Sequence, residues 1–287
     1  MHKFWLTLLG LPVLLVACSR VDLAYRNLDW LIPWKLNDYL ALDDQQRAWL
    51  KPRLQQHLSW HCSLELPRYL IWLRDNQALL NDPDPQRLNE QLDEFEQALQ
   101  RIAVQVTPHT TELLRGLNPR QVEQLFAELD EQNAELRDTF LTPPPAEQIR
   151  LRVERMNERL EPWLGTLNAP QRQSVEAWAN RLGAQNAVWL DNRLTWQQAL
   201  RETLDARRSD SFAPRLEALL QARERFYTEA YRASHAANRE ALVQLFVALI
   251  RQADSDQLAR ADSRLNALHD DLAAQRCQAD ESVASAD

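Results

Sequence analysis

The chain has 287 residues, a formal net charge of −8 and 26% charged residues, and an acidic balance without a basic tail excludes the electrostatic footprint of a nucleic-acid partner. Beyond residue 17 the only glycines are Gly116, Gly165 and Gly183. They are too scattered for a phosphate-cradling loop or a dinucleotide fingerprint, and no G-x-S-x-G elbow exists, so neither a cofactor nor an enzyme activity is expected.

The N-terminal stretch MHKFWLTLLGLPVLLVACS opens on Lys3 and continues as an uncharged apolar run from Phe4 to Ala17. That run is shorter than the about 20 residues that span a bilayer. It ends in Leu15-Val16-Ala17-Cys18, which resembles a bacterial lipoprotein lipobox. The resemblance implies that residues 1–17 are a signal peptide, removed before Cys18, and that Cys18 carries acyl chains. Ser19, not Asp, follows the cysteine. By the sorting rule that comes with the resemblance, this implies the periplasmic face of the outer membrane. Membrane contact through lipidated Cys18 is therefore expected, with residues 18–42 as a tether and aromatic segment. The aromatics of Tyr25-Arg26-Asn27-Leu28-Asp29-Trp30-Leu31-Ile32-Pro33-Trp34-Lys35 suit either the membrane interface or the surface of a bundle. Asp29 and Asp38 favour the bundle.

The remaining chain reads as helix. Leu88, Leu92, Phe95, Leu99, Ile102 and Val106 step by three and four, as do Ile149, Val153, Met156, Leu160 and Trp163. Val122, Leu125, Leu129, Leu136 and Phe140 share such a stripe, Trp178, Leu182, Trp189, Trp196 and Leu200 continue it, and Leu258, Ala261, Leu265, Leu268 and Leu272 close the series. Such seams predict helices packed at shallow angles, and no period-two strand is present. The fold class is all-α, an antiparallel helical bundle or stacked helical hairpins of about eight helices. Their spans are roughly 22–40 (broken near Pro33), 43–81 (kinked by Pro52 and Pro67), 85–115, 118–141, 145–164, 168–207, 211–253 and 255–277. The helical domain thus covers 43–277, and 278–287 reads as a disordered tail. Gly116 and Gly165 are read as left-handed helix ends followed by the N-caps Asn118 and Asn168.

Four helix starts share a pattern: Leu42-Asp43-Asp44-Gln45-Gln46, Leu117-Asn118-Pro119-Arg120-Gln121, Leu167-Asn168-Ala169-Pro170-Gln171 and Ala253-Asp254-Ser255-Asp256-Gln257. Each places a small polar cap three residues before Gln, which is a capping box. The pattern is also similar to the LTxxQ motif of Spy-like periplasmic chaperones, although Thr is missing from all four copies. That resemblance implies a holdase for unfolded envelope proteins.

The densest polar stretch is HLSWHCSLELP, residues 57–67. His57, His61 and Glu65 fall at i, i+4 and i+8, a spacing able to bind zinc if a distant residue such as His235 completes the set. A polar helix face is the alternative, and it is favoured because no H-E-x-x-H base accompanies the histidines. With Cys18 lipidated, Cys62 and Cys277 are the cysteines left, and in an oxidising periplasm they are expected to pair.

Together, LVACS, YRNLDWLIPWKLNDYLALDDQQRAWL and WHCSLELPRY resemble a family of bacterial lipoproteins known as a domain of unknown function. The resemblance implies a lipid-anchored helical protein and carries no catalytic residues. Three functions compete. The leading expectation is a structural or protein-interaction role in the cell envelope, with an envelope protein as partner. The alternatives are a Spy-like holdase and a metal- or small-ligand-binding protein using His57, His61 and Glu65.

Overall fold

The computed structural model describes residues 25, 27–275 and 277. The expected signal peptide (1–17), the expected lipidation site Cys18 and the expected tail (278–287) lie outside the described residues. Among the described residues the fold is all-α, with no strand, and no helix is long and apolar enough to cross a membrane. The elements are α1 (Leu28–Leu40), α2 (Asp44–Trp60), a π turn (His61–Glu65), α3 (Leu66–Leu79), α4 (Pro85–Arg115), α5 (Pro119–Phe140), α6 (Pro145–Leu164), α7 (Ala169–Arg181), α8 (Gln185–Asp205), α9 (Phe212–Gln221), a 3-10 turn (Arg223–Phe226), α10 (Glu229–Arg251) and α11 (Ser255–Ala273). Because α2, the π turn and α3 run on without a break, these make ten helical rods.

Several boundaries differ from the sequence expectation, each for a local reason. The span expected at 168–207 divides at Gly183, whose φ of +49° ends α7 in the left-handed region. The apolar stripe from Trp178 to Leu200 hides this break, because the chain resumes its helix only two residues later. The span expected at 211–253 falls into α9, the 3-10 turn and α10. There Thr228, in extended backbone, caps α10 by accepting from the Tyr231 N–H, while its own N–H donates to the Asn192 side chain at 2.9 Å. The last helix ends at Ala273 rather than 277. Pro33 and Pro52 lie inside helices that continue through them. Gly116 is not a left-handed end, its φ being −78°, whereas Gly165 is at +66°.

Three apolar clusters make the core. The first joins α1, α5, α8 and α9 through Leu40, Phe126, Leu204, Phe212 and Leu216. The second joins α6, α7, α10 and α11 through Met156, Leu160, Val175, Leu249 and Ala261. The third joins the π turn, α3 and α11 through Cys62, Leu66, Leu73, Leu268 and Leu272. Burying a Leu or Phe side chain of this kind contributes about 1.5–3 kcal/mol. The expectation that the aromatics before residue 42 dock on the bundle holds for Tyr25, which packs on the third cluster, and not for Trp30 and Trp34, which are exposed, while Leu36, Tyr39 and Leu40 further along α1 enter the first cluster.

All four predicted helix starts form reciprocal capping boxes, at Asp43/Gln46, Asn118/Gln121, Asn168/Gln171 and Asp254/Gln257. Their glutamines then clasp one another in two pairs. Gln121 donates to Oε1 of Gln46 at 2.6 Å and Gln46 donates back at 3.2 Å. Gln171 and Gln257 do the same at 3.0 and 3.1 Å. Each glutamine also donates to a backbone carbonyl at or near another helix end, namely Gly116, Ala41, Leu249 and Thr166 respectively. Arginines cap the carbonyls just ahead of three boxes: Arg47 on Leu42, Arg207 on Leu117 and Arg172 on Leu167. One clasp flanks the first core cluster and the other the second. Gln171 is fully buried, so its loss strands Gln257 and the Leu249 carbonyl without water. Gln171→Ala is expected to destabilise by about 2–3 kcal/mol, against about 1 kcal/mol for the half-exposed Gln46→Ala. Equal urea-denaturation midpoints for the two variants would refute the clasp as a stabilising device.

Candidate site around the π turn

The sequence HCSLE winds one residue wider than an α-helix, and such π turns frequently mark functional positions. The wider turn places His61, Cys62, Glu65 and, on the next turn, Tyr69 toward the domain interior. Cys62 is buried and bonded to Cys277, with Cα atoms 5.4 Å apart, closing a span of 215 residues.

His61 sits between two tyrosines. Its Nδ1 is 3.0 Å from the Tyr25 hydroxyl and its Nε2 is 3.2 Å from the Tyr69 hydroxyl. A neutral imidazole has one donor and one acceptor nitrogen, so one phenol donates to it and the other accepts. Burial lowers the pKa of His61 below its ordinary value, and the Glu65 charge only partly opposes this. Burial also pushes both tyrosines up to about 12, with Tyr69 adding to the effect on Tyr25 and Glu65 adding to that on Tyr69.

Glu65 has no exposed surface. Its carboxylate accepts from Arg68 at 2.7 Å and from Nε of Arg101 at 3.0 Å to both oxygens. Arg101 reaches on to Glu94 at 3.3 Å. The buried charge is thus held by guanidinium groups from α3 and α4.

His57 points elsewhere. Its Nε2 lies 2.9 Å from Nδ1 of His109 on α4, and the Trp49 ring meets His109 edge-on at 6.1 Å. Arg53 stacks 4.0 Å above Trp49. Burial, then the His109 charge, lowers the His57 pKa. His235 packs among Tyr227 and Tyr231, with ring centroids 5.8 and 5.7 Å away.

The four residues considered as metal ligands therefore belong to different clusters. His57 pairs with His109, His61 with two tyrosines, Glu65 with two arginines and His235 with a tyrosine pair. Among the described residues no group of three His, Cys, Asp or Glu side chains is placed to hold a metal. The sequence offers His235, in a polar patch of a long helix, as the distant partner, whereas the fold brings His109 to His57. A signal for it existed, because stepping three beyond Val106 along the α4 stripe reaches His109. Nothing in the sequence singled out Arg101.

These environments set a pH dependence. His57 and His61 bind protons less readily folded than unfolded, so the unfolded chain takes up more protons below about pH 6.5, and stability falls as pH drops through that value. Tyr25 and Tyr69 hold their protons longer when folded, so their contribution is complete below pH 10 and is lost as pH rises toward about 12. Urea midpoints are expected to decline on both sides of a neutral-to-alkaline plateau. His57→Gln should flatten the limb between pH 7 and 5, and an unchanged slope there would refute this assignment.

A family model described as a family of unknown function (DUF6279) matches residues 38–232, about two thirds of the chain. The chain belongs to that family. The DUF6279 match takes in the π turn, Arg101, His109 and three of the four capping boxes. It stops before the fourth box at Asp254 and before Cys277. No curated protein and no solved structure matches the chain.

Proposed function

We propose that this protein is an outer-membrane-anchored periplasmic lipoprotein whose helical domain has a structural or protein-interaction role in the cell envelope. The observation that carries the reading is the Cys62–Cys277 bond. Disulfides persist in oxidising compartments, and the periplasm is where the Leu15–Cys18 segment would send the chain. The polar clusters of the candidate site and of the capping boxes are closed on themselves, which suits a scaffold: Glu65 is closed by arginines, His61 by tyrosines and the box glutamines by one another. The L-x-x-x-Q pattern is thereby occupied in holding helix ends, so it lends a holdase no support.

The test is radiolabelled palmitate incorporation in a Gram-negative host, with membrane fractionation and cross-linking in intact cells. Label on the wild-type chain but not on Cys18→Ser, recovery with outer membranes and a discrete cross-linked envelope protein are expected. An unlabelled chain, or a labelled one that stays in the inner membrane, would overturn the reading.

A further inference from the structure

Helix α1 has two faces of different character. Its inner face sends Leu36, Tyr39 and Leu40 into the first core cluster, and Gln132 donates to the Tyr39 hydroxyl at 2.6 Å. Its outer face carries Trp30 and Trp34, 62% and 57% exposed. The two indoles stack, with centroids 6.0 Å apart and planes 12° from parallel. Every other described tryptophan, from Trp49 to Trp196, is at least partly covered. A fold that shelters the rest of its indoles leaves one adjacent pair in water.

We propose that Trp30 and Trp34 form the surface by which the domain rests in the headgroup zone of the bilayer carrying its acyl anchor; this rests on the lipoprotein reading above. The indole, an apolar body with a polar tip, is the side chain enriched at membrane–water interfaces. Trp30 lies 12 residues after Cys18 in the sequence, a span that reaches at most about 40 Å when fully extended. The anchor therefore confines this face to within that reach of the bilayer. Area argues against a second copy as occupant. Two indoles of about 250 Å² each, somewhat over half exposed, offer about 300 Å². A stable protein interface needs roughly 800 Å² per partner. A bilayer contact made after an acyl anchor has no such requirement. Electrostatics is not the attraction, since the segment from Cys18 to Asp38 has no net charge, Arg20, Arg26 and Lys35 being matched by Asp22, Asp29 and Asp38, and Lys35 is paired with Asp38 at 2.8 Å. The contact is thus independent of anionic lipid and of salt.

The experiment uses the chain from Cys18 onward, with Cys62 and Cys277 bonded, so that Cys18 is the free thiol. It is coupled to a maleimide phospholipid in vesicles of phosphatidylcholine and phosphatidylethanolamine with brominated acyl chains. This artificial tether works whether or not cells acylate Cys18, so failure here is distinct from failure of palmitate labelling. Bromine is expected to quench about a fifth of the emission, the share of two indoles among the nine in this chain. Trp30→Phe/Trp34→Phe, checked for an unchanged melting curve, is expected to lose that component, and raising salt is expected to leave it intact. Equal quenching of the two proteins would overturn the proposal, as would continued access of aqueous iodide to the tethered wild-type indoles. A concentration-dependent dimer that shields both indoles from bromine would overturn it too, and would assign the face to a second copy.

Discussion

Replacing Arg101 by methionine is expected to cost the fold about 3–5 kcal/mol, the usual consequence of stranding one member of a buried ion pair. Glu65 has no surface through which water can replace the lost guanidinium. Arg68 remains, but through a single bond and with half its side chain in solvent. The reverse deletion is milder, because Arg101 keeps a quarter of its side chain exposed and still reaches Glu94. Glu65→Leu should therefore cost less than Arg101→Met. The double variant should recover much of the loss, since an apolar pair of similar volume often replaces a buried ion pair without penalty. Urea denaturation with the disulfide intact provides the comparison. A double variant no more stable than Arg101→Met would refute the account.

Reduction of Cys62–Cys277 is expected to have an effect of similar size. Closing a loop of 215 residues removes unfolded-state entropy worth about 5 kcal/mol in the chain-entropy model. The bond also holds the segment after α11 against the π turn, beside Leu268 and Leu272 in the third cluster. Cys62→Ser/Cys277→Ser should unfold at much lower urea and lose the response to reductant that the wild-type chain shows. Wild-type midpoints that are the same with and without reductant would refute a stabilising role for the bond.

What could be read from the sequence was what lies within one helical turn. The four boxes were legible because cap and glutamine are three residues apart and the chemistry that joins them is local. That the glutamines then bind one another was not legible, since the partners lie 75 and 86 residues apart. Cys62 and Cys277 were paired by counting, which needs no geometry. Glu65 was visible as part of a polar stretch, read as a candidate metal ligand or part of a polar helix face, yet Arg101 lies 36 residues away on another rod and carries no local sign of its role. The helix break at Gly183 stayed hidden because the turn returns the apolar stripe to nearly the same phase. The stripe on α4 misled in part: Leu99, read as buried, is 37% exposed, and Ala98 and Thr107 are the buried positions.

The clasped helix starts bear on the order in which the chain folds. Starting a helix is ordinarily a local and unfavourable event, decided by the first turn alone. Here the first turns of α7 and α11 meet inside the protein, where a glutamine amide without its opposite number has no water to turn to. A box that docks alone buries an unmatched donor, so a half-assembled pair is disfavoured at the moment of its formation. This pair should enter the folding transition state together, with Gln171 and Gln257 giving matching φ-values. The chain then assembles by coupling two distant helix starts rather than from one end to the other.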